Sequence, residues 1–199
     1  MDTDLQYMTV NVFSPYLNEY YQDAFLAMEQ SQQPYNVIVV DSPGGYTWNL
    51  SVLLDCIDDS TKPTITIGSG IQMSCGAVLF TSGTPGLRII SPNSSMMIHQ
   101  VSSGTRGKSS DMLSDAIDAH NATESLVYGR FDKNSGHENG FTENLIKQNM
   151  NADLNLTPQQ AVDYNFADMI MSRNKAFMNL DSIFANYLAD KGDETIWLK

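Results

Sequence analysis

Residues 64–80, "TITIGSGIQMSCGAVLF", pass from a strand pattern to a helix pattern within one short stretch. The opening residues alternate Thr and Ile, which favours a strand, and Gly70 marks a turn. Ser74, Cys75 and Gly76 then open an apolar run typical of a buried helix. Because a strand that leads directly into a helix is the repeating unit of α/β folds, this stretch favours that class.

The same succession of strand and helix patterns recurs along the chain. It predicts an α/β fold with parallel strands and crossover helices, in a single domain over residues 1–199. The predicted strands are 8–13, 36–40, 64–69, 87–91 and 96–100. The predicted helices are 14–33, 47–59, 107–131, 141–150, 157–165 and 172–190.

Helical spacing of apolar residues predicts which helix faces are buried. The first helix is expected to begin with Ser14 as its cap and Pro15 in its first turn. Its predicted inner face comprises Leu17, Tyr20, Tyr21, Phe25 and Met28. The predicted stripe of the long helix comprises Leu113, Ala116, Ile117, His120, Val127 and Phe131. The turn-forming run "KNSGHENG" (133–140) is expected to end that long helix.

The run "LTPQQAVDYNFAD" predicts a short and sharply delimited helix. Thr157 and Gln160 have the spacing of a capping box, and a proline occupies the first helical position. Asn165 is expected to end the helix, because asparagine tolerates the left-handed conformation of a helix stop. This interpretation places Asp153 in the segment just before the helix.

The composition excludes several classes of partner. The formal net charge is −12, the pI is near 4.4, and no basic block occurs, so neither nucleic acid nor an anionic membrane is expected as a partner. Cys56 and Cys75 lack metal-ligand spacing and are expected to be reduced thiols. Because the sequence shows neither a leader pattern nor an apolar run of membrane length, we expect a soluble, cytoplasmic protein.

Candidate catalytic side chains are few. His120 lies on the predicted inner stripe and His137 in a polar turn, which favours structural roles, whereas His99 ends an apolar strand and can reach a cleft. Ser74 is either a nucleophile at a tight turn, with helix N–H groups nearby for an oxyanion, or a small packing residue. The residues alone favour packing, because Gln72 replaces the first glycine of the Gly-x-Ser-x-Gly pattern.

The glycine pair of "DSPGG" (41–45) follows a predicted strand directly and leads into a predicted helix. Glycine N–H groups let a peptide or an oxyanion approach closely, although the same sequence also forms plain turns. Dinucleotide- and phosphate-binding patterns do not match, because the further glycines and the lysine are missing. The sequence contains no cluster with metal-ligand spacing, and neither a metal nor a cofactor is expected.

Three segments in the same order resemble the ClpP family of serine peptidases, the proteolytic subunits of Clp proteases. They are "DSPGG", "GIQMSCGAVLFTSGTPGLRIISPNSSMMIHQ" (70–100) and "NADLNLTPQQAVDYNFAD" (151–168), within a likeness that spans about residues 36–170. The separation of 25 residues between Ser74 and His99 agrees with the family without a gap. The resemblance implies a ClpP/crotonase-like fold with parallel strands, crossover helices and a projecting handle, here about residues 101–136.

The resemblance also implies a catalytic triad for hydrolysis of peptide bonds. Ser74 would be the nucleophile, His99 the general base and then acid, and Asp153 the carboxylate that orients the imidazole. Asp163 and Asp168 are rival carboxylates, but the first lies inside the predicted helix and the second matches a structural acid of the family.

The remaining site elements implied by the resemblance are backbone groups. The oxyanion hole would use the N–H groups of Gly44 and Cys75, and the substrate would lie along Gly44 and Gly45. Cys75 stands where the family usually has methionine, which a backbone contact tolerates. Met73 stands where a small residue is common and is expected to narrow the approach to Ser74.

The resemblance implies a homo-oligomer of stacked rings, a tetradecamer, whose chamber admits peptides or unfolded proteins. An ATP-dependent unfoldase is a further partner in the family. Only "MDTDLQY" precedes the first predicted strand, a shorter segment than the family's axial loops. We therefore expect an unusual unfoldase partner, a mixed ring, or degradation of short or unfolded peptides unaided.

Other interpretations are a catalytically inactive ring subunit, a phage-type protease that processes assembly proteins, and a crotonase-fold protein that binds acyl-CoA. The presence of Ser74, His99 and Asp153 weighs against the first and the last of these.

Overall fold

The computed structural model describes residues 6–11, 14, 18–150 and 153–191. Within these ranges, strands of a mixed sheet alternate with helices, as the sequence predicts, and the α/β class is confirmed. The strands are β1 (Met8–Val10), β2 (Asn36–Ser42), β3 (Thr64–Met73), β4 (Arg88–Ile90), β5 (Ser95–Ile98), β6 (Leu154–Leu156) and β7 (Met169–Ile170).

The sheet has the order β1-β2-β3-β4-β7, and all of these neighbours are parallel. Strand β2 lies in its interior and is buried from Asn36 to Val40. Its side chains alternate between two apolar cores, because successive residues of a strand point to opposite faces. Ile38 and Val40 belong to the larger core, and Val37 and Val39 to the smaller one.

Strand β3 is longer than the sequence predicts. Its first half pairs with β4, through Thr66–Arg88 to Gly68–Ile90, and its second half pairs with β5, through Ile71–Ser95 to Met73–Met97. The turn expected at Gly70 is instead an irregular point within the strand, where φ is +81°. A Cβ there would lie 2.4 Å from Oδ1 of Asp41, which accepts a hydrogen bond from the N–H of Ile71 at 3.1 Å.

Helices cover both faces of the sheet. They are α1 (Asn18–Gln30), α2 (Thr47–Asp58), α3 (Cys75–Thr81), α4 (Ser109–Ala122), α5 (Gly129–Ser135), α6 (Phe141–Gln148), α7 (Pro158–Asp163), α8 (Arg173–Met178) and α9 (Leu180–Lys191). A π-helical segment (Thr123–Tyr128) joins α4 to α5. The tail predicted as one helix is therefore two helices, with a break at Asn179.

The predicted inner face of α1 is partly wrong. Tyr21, Phe25 and Met28 are buried as predicted, but Tyr20 is 60% exposed. Its ring lies edge-on against Tyr21 rather than in the core. The proposed first turn with Pro15, and Leu17, lie outside the described residues.

The predicted stripe of the long helix is wrong over its first half. Helix α4 has no buried residue, and Leu113 and Ile117 are 63% and 50% exposed, because this helix leaves the body of the chain. His120 is exposed with them, whereas Val127 and Phe131, farther along, are buried.

The ends of the following helices confirm the predicted boundaries. Helix α5 stops at Gly136, which is left-handed with φ of +67°, inside the run predicted to break it. Thr157 and Gln160 form the complete capping box of α7. Asn165, with φ of +55°, adopts the left-handed conformation predicted for the helix stop.

Glu29 at the end of α1 ties this helix to the turn before β3. Its carboxylate accepts hydrogen bonds from the side chains of Asn36, Ser60 and Thr61. Burial opposes the charged form, but these bonds together outweigh it and lower the pKa of Glu29 from its ordinary value. The ionised carboxylate therefore stabilises the fold at neutral pH.

We expect Glu29→Gln to lower the free energy of unfolding at pH 7 by about 1 kcal/mol, a value reduced by solvent screening. A carboxylate with a lowered folded pKa stabilises fully above its unfolded pKa and loses that effect as pH falls through the folded pKa. The difference between the two proteins should therefore shrink below about pH 4.5. Urea unfolding at pH 7, 5 and 3.5 measures it, and a difference that grows toward acid pH would contradict the assignment.

Candidate active site

The register of the sheet brings the candidate catalytic residues to one edge. Because Met73 of β3 pairs with Met97 of β5, the strands end side by side, and the N–H of Ser74 donates to the Met97 carbonyl at 2.9 Å. Strand β6 runs antiparallel to β5 with Ile98 opposite Leu154. The residues just beyond these positions, His99 and Asp153, are therefore neighbours.

Ser74 stands at a sharp junction between β3 and α3. Its φ of +53° and ψ of −124° are rare for a residue with a side chain, and such conformations are concentrated at functional sites. The Ser74 carbonyl accepts the N–H groups of Ala77 and Val78, which starts helix α3. The side chain is half-buried and is held at the carboxyl edge of the sheet.

Ser74 and His99 are in direct hydrogen-bond contact. His99 Nε2 lies 2.8 Å from Ser74 Oγ, and the imidazole side chain is 23% exposed. In the tautomer protonated at Nδ1, Nε2 accepts the serine hydroxyl hydrogen. The segment after His99 is fixed to the π-helical segment, since Gln100 Nε2 donates to the Tyr128 hydroxyl at 3.1 Å and the Val101 N–H donates to Thr123 Oγ1 at 2.9 Å.

Asp153 lies on the other side of the imidazole. Its Oδ1 is 3.8 Å from His99 Nδ1, beyond hydrogen-bond length, and its side chain is 63% exposed. The rival acids are engaged elsewhere. Asp168 is paired with Arg88 at 2.6 Å, and Asp163 accepts a hydrogen bond from Gln159 within α7.

The glycine pair packs directly against the candidate nucleophile. Ser42 of β2 pairs with Gln72 of β3, which carries the following loop alongside Ser74. Gly44 has φ of +103°, and a Cβ there would lie 2.7 Å from the Ser74 Cβ, so only glycine fits. The Gly44 N–H donates to Ser42 Oγ at 3.1 Å, an interaction that competes with the oxyanion role expected for this group.

Cys75 links helix α3 to the same loop. Its thiol donates to the Gly45 carbonyl at 3.3 Å, and its side chain is buried. Burial raises the pKa of Cys75, so the neutral thiol is the form at neutral pH. As the first residue of α3, Cys75 has a backbone N–H without an acceptor inside the helix.

A cavity opens beside the Ser74 and His99 side chains. Its aliphatic wall is contributed by α2, α3, the segment after β5 and the π-helical segment, through Leu50, Val78, Val101, Leu126 and Val127. Tyr46 and Trp48 line it as well. The sequence patterns did not identify these residues as the lining of a site, and they marked Val127 only as part of a buried helix face, because a cavity formed by four separate elements depends on tertiary packing.

Comparisons with known proteins show the family of the chain. The family model described as Clp protease matches residues 14–174. The chain is 30% identical over 154 residues to the ATP-dependent Clp protease proteolytic subunit of Deinococcus radiodurans, a match that covers 76% of this chain and 73% of that protein. Such a relationship supports a serine peptidase of the Clp type. The chain therefore belongs to the Clp protease family.

Proposed function

We propose that this chain is a serine endopeptidase that hydrolyses peptides and unfolded proteins with Ser74, His99 and Asp153. The observation that carries the proposal is the 2.8 Å contact between Ser74 Oγ and His99 Nε2 at the edge of a cavity. A serine hydroxyl needs an adjacent base to become a nucleophile, and this contact supplies one.

In this mechanism, Ser74 Oγ attacks the scissile carbonyl carbon while His99 Nε2 takes the hydroxyl proton. His99 then donates that proton to the leaving amine, and an acyl group remains on Ser74. Water, activated by the same imidazole, hydrolyses the acyl-enzyme and restores the serine. Asp153 stabilises the imidazolium through its charge from 3.8 Å, a distance that a small movement of its exposed side chain would shorten to a hydrogen bond.

The proposed oxyanion donors are the backbone N–H groups of Cys75 and Gly44. The first is supported by its place at the start of α3. The second is engaged with Ser42 Oγ, so this bond must be shared or released when the oxyanion forms. Gly45, which is exposed at the mouth of the site, would pair with the substrate backbone.

We propose further that the chain assembles into stacked rings that enclose these sites. Helix α4 supports this proposal, because it projects with Met112, Leu113 and Ile117 at least half exposed. An apolar stripe of that kind is typical of a surface that another chain covers. The Deinococcus relative is by name a subunit of an ATP-dependent protease, and for this chain an ATP-dependent unfoldase would be the partner that delivers folded substrates.

A fluorophosphonate probe tests the proposed chemistry, because it phosphonylates only an activated serine. We expect labelling of the wild-type chain and none of Ser74→Ala, whereas Ser182→Ala, a change at an exposed serine on α9, should label normally. Light scattering on the same samples measures the assembly. An assembled particle without labelling would indicate an inactive ring subunit, and a stable monomer would contradict the ring.

A further inference from the structure

The rim of the candidate active-site cavity carries an aromatic pair. The rings of Tyr46 and Trp48 are stacked, with centroids 4.4 Å apart and planes 26° apart. Tyr46 follows the glycine pair directly and is the N-cap of α2, and Trp48 lies in the first turn of that helix. They line the same cavity as Ser74 and His99.

The two rings differ from the rest of the cavity in their exposure. Tyr46 and Trp48 are 47% and 55% exposed, whereas Leu50 and Val78, deeper in the cavity, are almost fully buried. A single exposed aromatic side chain is common, but two adjacent exposed rings at the mouth of a cavity form an apolar patch of the kind that marks a ligand-binding site. Since each ring holds the other in place, the pair forms a flat apolar surface that is already ordered before a ligand binds.

The lining of the cavity indicates which ligand side chain suits this surface. Among the described residues that line it, none is acidic, and His99 is the only titratable nitrogen base. A lysine or arginine side chain would therefore find no carboxylate to balance its charge. An aromatic side chain gains both apolar burial and ring stacking on such a surface.

We propose that Trp48, held by Tyr46, is a specificity-determining residue that selects substrates with an aromatic side chain next to the scissile residue. This inference rests on the proposed peptidase function. The scissile residue itself would occupy the aliphatic interior of the cavity, and a neighbouring residue of an extended peptide would stack on Trp48 at the rim. An aromatic residue in that position should raise kcat/KM about tenfold over alanine.

Quenched peptides with leucine fixed at the scissile residue test the proposal by varying one neighbouring position at a time among Phe, Ala and Lys. We expect Trp48→Ala to abolish the preference for Phe, because kcat/KM for the Phe peptide falls to the value for the Ala peptide in the same variant, and Trp48→Phe to retain most of the preference. Tyr20→Ala, which removes an equally exposed tyrosine on α1, is the matched control. An unchanged Phe preference in Trp48→Ala would overturn the proposal.

A binding experiment separates this proposal from the peptidase function. The chain has two tryptophans, so in Ser74→Ala/Trp197→Phe the tryptophan emission, excited selectively over tyrosine, comes from Trp48 alone. The Phe peptide should change that emission saturably and bind about tenfold more tightly than the Ala peptide. This result would support the aromatic subsite even if fluorophosphonate failed to label the wild-type chain. Equal affinities would overturn the subsite even if labelling succeeded.

Discussion

His99→Ala is expected to lower kcat/KM for a quenched peptide by about 10⁶-fold, as much as Ser74→Ala and more than any other change that we predict to affect activity. The reason is the contact between His99 Nε2 and Ser74 Oγ, at 2.8 Å. Without the imidazole, no group accepts the proton of the Ser74 hydroxyl, and none protonates the leaving amine. Steady-state assays at neutral pH measure the loss.

The double variant Ser74→Ala/His99→Ala decides whether the two side chains act as one unit. If they do, each single variant removes the whole of their contribution, and the double variant loses no more than either. Independent roles would instead multiply the two losses. A double variant far less active than both single variants would therefore contradict the shared proton transfer.

Asp153→Asn should lower kcat/KM less than Ser74→Ala or His99→Ala does, by a factor roughly ten- to a hundredfold smaller. The Asp153 carboxylate is largely exposed and lies 3.8 Å from the His99 ring, so water screens its charge. A loss equal to that of Ser74→Ala would show that Asp153 closes to hydrogen-bond distance in the working enzyme.

The sequence predicted strands and helices well where the local sequence pattern agrees with the tertiary packing. Strand β2 is β-branched and buried on both faces, and α7 carries its own capping box. His99 was predicted at the end of a strand, and Ser74 at the start of the helix that follows the strand predicted over 64–69. Because that strand extends to Met73 and runs parallel to β5, the two residues meet at one edge of the sheet. The position of Asp153 beside His99 could not be predicted from local pattern, because it depends on β6, a three-residue antiparallel strand without a sequence pattern of its own.

Part of the prediction for residues 107–131 failed, because tertiary structure, not local sequence pattern, decides which helix faces are covered. Helical spacing shows that Leu113 and Ile117 lie on one face, but it does not show whether the chain itself covers that face. In this structure helix α4 leaves the body, and the face stays open. The π-helical segment was likewise invisible in the sequence, although it places Leu126 and Val127 at the cavity.

Arg88 forms the centre of a buried polar network. Its guanidinium is fully buried and donates to both carboxylate oxygens of Asp168, at 2.6 and 2.9 Å. It also donates to the Asn134 carbonyl at 3.0 Å and to the Asn165 side chain at 3.3 Å. The network thereby joins β4 to the end of α5 and to the left-handed turn after α7.

Arg88→Ala is expected to lower the free energy of unfolding by about 3–5 kcal/mol, the largest stability effect among the changes proposed for this chain. The change leaves the Asp168 carboxylate in a site that is only 13% exposed, without its cation. It also leaves the Asn134 carbonyl without the donor that Arg88 supplies. Urea unfolding at one fixed protein concentration measures the change, because assembly makes stability depend on concentration.

A double-mutant cycle with Asp168→Asn separates the ion pair from simple loss of packing. Asparagine can still accept the N–H groups of Gly86 and Arg88 that the carboxylate now accepts at 2.8 Å, but it carries no charge. Arg88→Ala should therefore lower the free energy of unfolding by less in the Asp168→Asn background, since no unpaired carboxylate is left buried. Equal costs in both backgrounds would mean that Arg88 stabilises the fold through its packing and its hydrogen bonds to Asn134 and Asn165, and not through the ion pair. Lys147→Ala, which breaks an exposed pair with Glu143 on α6, should change stability little, because solvent already screens that pair.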